Sequence, residues 1–392
     1  MRTIGVEERC ARLGPRHRLS RRADAVDQAA AALVGLHSSD PSSVYLSAWA
    51  RVAGFAAAGL EDALYDRRSL VRMLGMRRTL FVVPLDLAAV MDEACTKALA
   101  PGERTRLVRM LEEQGIAREG RGEGWVDRVA AEMLDALATR GEATARELTK
   151  DVPGLGAKLT FGEDKTWAGT MGVSTRMLFL LATEGQIVRA RPLGTWISGQ
   201  YRWARTETWL GAPLPRIDHA EACADLLGSY LRAFGPATMT DIRWWTGWTA
   251  KLATKTIEAL GAVEVGLDEG IGYVLPNDFD AANEVDPWVT LLPSLDPTVM
   301  GWKDRTWYLG DHASALFDRN GNAGPTVWAN GRVVGGWTQR DDGEVVVGLL
   351  GRVDARTRKA IDAERERLQV WLGDVRIKPR FRTPLERSLS KR

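Results

Sequence analysis

The chain has 392 residues, of which 45% are hydrophobic and 27% charged, enough for two or three domains of ordinary globular composition. A disulfide-stapled miniprotein and a disordered or collagenous chain are excluded on those grounds alone. Lys+Arg 53 against Asp+Glu 51 leaves a formal charge of +2, so any site for a polyanion has to come from local clustering.

The opening residues Met1 to Glu8 contain no apolar stretch and carry two acids, unlike a secretory signal. Ala25, Ala29, Ala32, Leu33 and Leu36 recur at spacings of three and four, which predicts an amphipathic helix from Arg22 to Leu36. Asp40-Pro41 supplies an N-cap and a proline at the first helical position, opening a second helix through Tyr45, Trp49 and Val52. His37 to Ser39 therefore fall on an interhelical turn. A short helix over Leu60 to Tyr65 and strands around a turn from Ser69 to Val83 complete a winged-helix order of three helices and a hairpin.

The same order recurs twice. Val129, Met133, Leu134 and Leu137 predict a helix, followed by a turn at Gly141 to Thr144, a short helix from Ala145 to Lys150 and a third from about Gly169 to Glu184. Ile187 to Arg191 and Trp196 to Trp203, around Pro192-Leu193-Gly194, form a basic and aromatic wing. The third pass has a helix from Asp218 to Phe234, a turn at Gly235 to Thr238, helices at Thr240 to Trp245 and Ala250 to Leu260, and a wing from Val263 to Leu275. Short β-rich runs from Val289 to Val347 and a helix from Asp354 to Leu372 close the chain. The expected fold is mainly α with β hairpins, an α+β chain of three tandem winged-helix units, 1–120, 121–215 and 216–288, with a C-terminal β-rich module, 289–392.

Helix-turn-helix units place a helix in the major groove while basic wings grip phosphates, so arginine spacing is weighed first. Arg176, Arg189, Arg191, Arg202 and Arg205 fall in the second unit, Arg72, Arg77 and Arg78 near the first unit's hairpin. Arg376, Lys378, Arg380, Arg382 and Arg387 close the chain. Each cluster could be solvated surface; three winged-helix patterns together favour double-stranded DNA as the partner.

Cys10, Cys95 and Cys223 form no CxxC pair, and the four histidines show no metal-ligand spacing, so a zinc or redox centre is disfavoured and a reducing cytoplasm is expected. Phosphate-cradling glycine motifs are absent, and no apolar run reaches the roughly 20 residues of a membrane span. No metal or organic cofactor is implied. Trp244, Trp245 and Trp248 read as core more readily than as a stacking platform. His37, Ser39 and Asp40 are the remaining polar constellation: they could position a water, or Asp40 could simply cap the next helix while Ser39 suits the turn.

The segments from Gly35 to Pro41 with Tyr45 to Arg51, Met76 to Val83, Tyr230 to Thr238 with Asp241, Leu292 to Pro297 with Asp304-Arg305, and Pro325 to Val327 with Gly331 to Gly335 resemble, in that order, the AlkZ/YcaQ family of winged-helix DNA glycosylases. The likeness runs over most of the length. It implies three winged helices and a β-barrel-like module around a concave DNA channel, with excision of N7-alkylated, bulky or crosslinked purines. The family's catalytic turn reads QxQ or QxD; His37 and Ser39 occupy those positions here.

An N7-alkylated base is already cationic and leaves with little acid assistance, so placing water and stabilising the sugar cation is what remains for the protein. His37 is assigned as proton acceptor, Ser39 as hydrogen-bond partner and Asp40 as a third candidate. The turn has no lysine, so no Schiff base is expected. The alternative is a catalytically silent DNA binder, a lesion binder or transcriptional regulator. A small-molecule-sensing regulator built on the tryptophan group would bind as a dimer, whereas three reading units in one chain suit a monomer.

Overall fold

The computed structural model describes residues 1–162, 168–282, 285–377, 379 and 382–391. The chain forms two compact units. The first comprises Met1–Leu70, Phe81–Pro84 and Cys223–Arg392, the second Val71–Leu80 and Leu85–Ala222.

In the first unit, a helix over Val6–Arg16, not anticipated from the sequence, precedes a helix confined to Val26–Ala31. The longer helix expected over Arg22 to Leu36 stops early because Val34 takes a left-handed backbone, φ 63°, which breaks the helical ladder. The chain then enters a two-residue strand, Leu36–His37, antiparallel to Leu80–Pro84, with Leu36 opposite Val82 and His37 opposite Phe81. The close approach depends on Gly35: a Cβ there would lie 2.7 Å from Val83 Cγ1. His37 thus lies in a strand, a correction to the turn read from the sequence.

Asp40 caps the helix Pro41–Arg51 as expected, its carboxylate accepting from the Ser42 N–H at 2.9 Å and the Ser42 hydroxyl at 2.6 Å. The helix His219–Phe234 leads through a capping box, Thr238 with Asp241, into Met239–Thr246, then Ala250–Leu260 and a hairpin of Val263–Leu267 and Gly270–Val274. The closing strands form an open four-stranded antiparallel sheet in the order Val289–Leu292, Thr326–Ala329, Arg332–Gln339, Val345–Leu349. Its edge strands do not pair with each other among the described residues, so the barrel-like closure implied by the resemblance is not formed. The helix Ala355–Leu372, capped by Asp354, buries Ile361 and Leu368 and packs along Val289–Leu292.

Trp245 and Trp248 are buried, as the core reading expected. Trp245 joins a chain of aromatic rings: it lies 4.6 Å from Tyr230 between centroids, Phe234 lies 5.2 Å from Trp302, and Trp302 5.1 Å from Trp307. Trp244 is half-buried beneath the Arg305 guanidinium.

His17 is fully buried beside these rings. Its Nε2 donates to the Ala233 carbonyl at 3.0 Å, and its Nδ1 accepts from the Thr298 hydroxyl at 2.8 Å. Burial, then the Arg51 charge, hold its pKa down to about 3 from the ordinary 6.5. Because the folded value is depressed, stability from neutral His17 is fully present above the ordinary value and is lost as pH falls from there towards the folded one. A loss of roughly 2 kcal/mol is expected between about pH 6.5 and about pH 4.5. Urea midpoints of wild type and His17→Gln check it; parallel pH curves would refute it.

The second unit packs helices Ala100–Glu113, Gly122–Arg140, Ala145–Asp151 and Val173–Thr183 around Leu111, Val126, Met133, Leu148, Met177 and Leu181. The helix expected from about Gly169 begins only at Val173. Gly169–Gly172 is instead a strand paired with Lys158–Phe161, and the missing Cβ of Gly169 lets the Phe161 ring lie over it. A hairpin forms from Ile187–Pro192 and Tyr201–Arg205; its second strand begins at Tyr201, later than the Trp196 start expected.

Candidate active site

Among the described residues, one arrangement occurs in three places. A two-residue strand runs antiparallel to the second strand of a hairpin and leads towards a helix: Leu36–His37 beside Leu80–Pro84, Ala143–Thr144 beside Tyr201–Arg205, and Ala237–Thr238 beside Gly270–Val274. In the latter two the strand's second residue is the N-cap itself, and Thr144 and Thr238 are each locked in a reciprocal capping box. In the first, His37 holds the corresponding position but the cap is Asp40, three residues on. His37, Ser38 and Ser39 are thereby released from capping.

Most of this released segment is nevertheless shielded. His37 keeps 8% of its surface open, with its ring edge-on to Phe81 at 5.6 Å between centroids, and Ser38 is buried. Ser39 is exposed and Asp40 half-buried. The Ser39 N–H points to His37 Nδ1 at 3.4 Å, a long contact in which Nδ1 is the acceptor.

The helix behind the turn is fixed by a charge pair that sequence reasoning did not single out. Arg51 and Asp296 are both fully buried; Nη2 donates to Oδ1 at 2.7 Å and Nη1 to Oδ2 at 2.8 Å. Ser47 adds a hydrogen bond to Asp296 at 2.6 Å, the Thr298 N–H another at 2.9 Å, and the Ser43 hydroxyl binds the Ser294 carbonyl. Burial alone would raise the Asp296 pKa; the Arg51 charge and these donors overcome it and hold it below the usual carboxylate value. The available signal was an arginine on a helix otherwise buried on most sides, and an Asp-Pro step far along the chain. A narrow cleft at the head of the same helix is lined by Asp40, Ser42, Ser294, Trp337 and Glu386. Glu386 Oε1 is buried without a hydrogen-bond partner, and burial pushes that carboxyl's pKa up.

The arginines sort differently from the sequence expectation. Arg72 is 2% exposed with its guanidinium over the Tyr201 ring, so it is a correction: it is buried in its own unit and does not face solvent. Arg189 lies over Trp203 at 4.5 Å, and burial together with Arg72 lowers its pKa to about 10. Arg205 pairs with Glu207, and Arg176 lies 3.8 Å from Glu103. Arg191 and Arg202 are half-buried, Arg77 and Arg78 exposed. Arg382 lies 3.9 Å from Asp341, whereas Arg380 and Lys378 lie outside the described residues.

A family model described as DNA glycosylase AlkZ-like matches residues 30–371. The chain belongs to this AlkZ-like family. Its fold is similar to that of Streptomyces sahachiroi DNA glycosylase AlkZ, with a TM-score of 0.72 at 20% identity, covering 94% of this chain and 97% of that one. Among curated proteins none matches. Membership in the AlkZ-like family brings DNA repair and DNA binding with it, and no helix among the described residues is long and apolar enough to cross a membrane.

Proposed function

We propose that this AlkZ-like protein hydrolyses the N-glycosidic bond of N7-alkylated purines, bulky ones included, in double-stranded DNA. The observation that carries the reading is the displaced cap: where two equivalent strand ends hold a threonine closed into a capping box, the first holds an imidazole, followed two residues on by an exposed serine, and the capping duty has passed to Asp40. Water enters beside His37, displaces the long Ser39 N–H contact and bonds to Nδ1, with the Ser39 hydroxyl as its second partner. As the oxygen forms its bond to the anomeric carbon, the water proton passes to Nδ1. The base departs with the electron pair of the glycosidic bond, which neutralises its own positive charge. Asp40, bonded to its own helix, acts on the sugar cation only at a distance. The three strand, helix and hairpin arrangements are read as three winged helices holding the duplex by its phosphates, and the chain as a monomer in the cytoplasm.

The test is abasic-site formation. Duplex oligonucleotide carrying N7-methylguanine or a bulky N7 adduct is incubated with protein and then treated with alkali. Strand scission at the lesion is the expected outcome. The near-complete burial of His37 favours a second reading, a lesion binder without chemistry. Tight binding with no scission of either substrate would establish that one instead.

A further inference from the structure

The closing helix, Ala355–Leu372, is unevenly charged along its length, and the unevenness follows its packing. Its buried residues, Ile361, Glu364, Leu368 and Leu372, lie in the later turns. There it packs, within the first unit, against the helix Pro41–Arg51. Trp371 lies 6.3 Å from Trp49 between ring centroids, the Arg367 guanidinium sits 3.5 Å over the Trp49 ring, and Glu364 pairs with Arg22 at 3.1 Å. The arginines of this half have carboxylate partners: Arg365 pairs with Glu366 at 3.0 Å and Arg367 with Glu364 at 2.6 Å.

The opening turns differ. From Gly351 to Ala360 the sequence has four cations, Arg352, Arg356, Arg358 and Lys359, against one acid, Asp354. That acid is the N-cap, its carboxylate accepting from the Thr357 N–H at 2.7 Å and the Thr357 hydroxyl at 3.1 Å. All four cations are exposed. Arg358 precedes Asp362 by four residues, the spacing at which opposite charges on a helix compensate each other. Arg356 and Lys359, three apart, share the face turned away from the buried residues, and neither forms an ion pair among the described residues. Farther along, Asp362 and Glu366 reverse the sign, so the positive face is confined to the opening turns, where the helix dipole adds partial charge of the same sign.

We propose that Arg356 and Lys359 grip the phosphate backbone of duplex DNA, and that the helix behind them ties the gripped strand to the helix Pro41–Arg51. This rests on the family's DNA partner and is independent of the excision chemistry. Opposite charge draws the backbone to this face. A helix of 18 residues, about 27 Å long and anchored along its later half, loses little freedom when its other end meets a row of phosphates.

The experiment measures affinity for an undamaged duplex oligonucleotide as a function of salt, with thermal unfolding of the same variants. Arg356→Gln and Lys359→Gln change solvent-facing side chains, so Tm should stay near the wild-type value. Each should make the slope of log affinity against log salt shallower by about one, and the double variant by about two. Affinity of the double variant at low salt should fall roughly tenfold, whatever the duplex sequence. Arg356→Lys should keep the wild-type slope, because the charge remains. Arg365→Gln removes a cation from the same helix but from an existing pair, and should keep it too. A wild-type slope in the double variant overturns the grip. So does an equal change in Arg365→Gln, since binding would then follow total charge rather than position. No salt-dependent binding by the wild-type chain would instead overturn the DNA partner itself, so the two failures are told apart.

Discussion

Replacing His37 by alanine is expected to lower abasic-site formation on N7-methylguanine duplex by about a hundredfold or more, the range in which a positioned proton acceptor works. Affinity for the same duplex should stay near the wild-type value, since His37 exposes only 8% of its surface and offers little to a phosphate. His37→Gln separates chemistry from shape. A glutamine still accepts a hydrogen bond from water but does not titrate, so part of the activity should survive and its pH dependence should vanish. In the wild-type chain, protonating the imidazole removes the acceptor at Nδ1 and sets a positive charge beside the developing sugar cation. Excision should therefore decline from about pH 8 to about pH 5. A flat wild-type profile, with DNA binding constant across that range, would remove His37 from the mechanism. Full activity in His37→Ala would do the same.

Asp296→Ala should cost about 3–5 kcal/mol, because it leaves the Arg51 guanidinium buried and uncompensated. For a unit of this size that corresponds to a fall in Tm of roughly 10 °C. Arg51→Met should be comparably damaging, whereas Arg51→Met combined with Asp296→Leu should recover much of the loss, since neither charge then remains buried. Acid acts in the same direction as the single variant. With its pKa held below the usual carboxylate value, Asp296 contributes stability that is complete above that value and disappears as pH falls through the lower, folded one. Denaturant midpoints of the two single variants and the double variant decide the matter; additive losses in the double variant would show that the pair is not coupled.

The parts of the fold that could be read from the sequence are those set by local chemistry. Asp40-Pro41 announced a helix start through its cap and proline, and the alternation around Pro192-Leu193-Gly194 announced a hairpin. Where the reading failed, a distant partner decides the backbone. Gly169–Gly172 becomes a strand because Lys158–Phe161 lies beside it, and Leu36–His37 because Phe81–Val82 does. Neither partner is visible in a window of helical periodicity. Of the candidate site, the positions of His37 and Ser39 were legible through resemblance. Their release from capping was not, because it appears only when the three short strands are compared in register. Arg72 was misassigned for a related reason: an arginine near a hairpin reads as surface unless the aromatic face that covers it is known.

The Arg51–Asp296 pair spans 245 positions of chain, and the second unit is interposed between its partners. A ribosome delivers the helix bearing Arg51 long before the carboxylate that neutralises it. During synthesis that guanidinium must remain hydrated, and the turn ahead of it has no fixed base to rest on. The interposed residues can meanwhile condense around their own apolar centre. Maturation of the larger unit is consequently a late event with high contact order, and therefore a slow one.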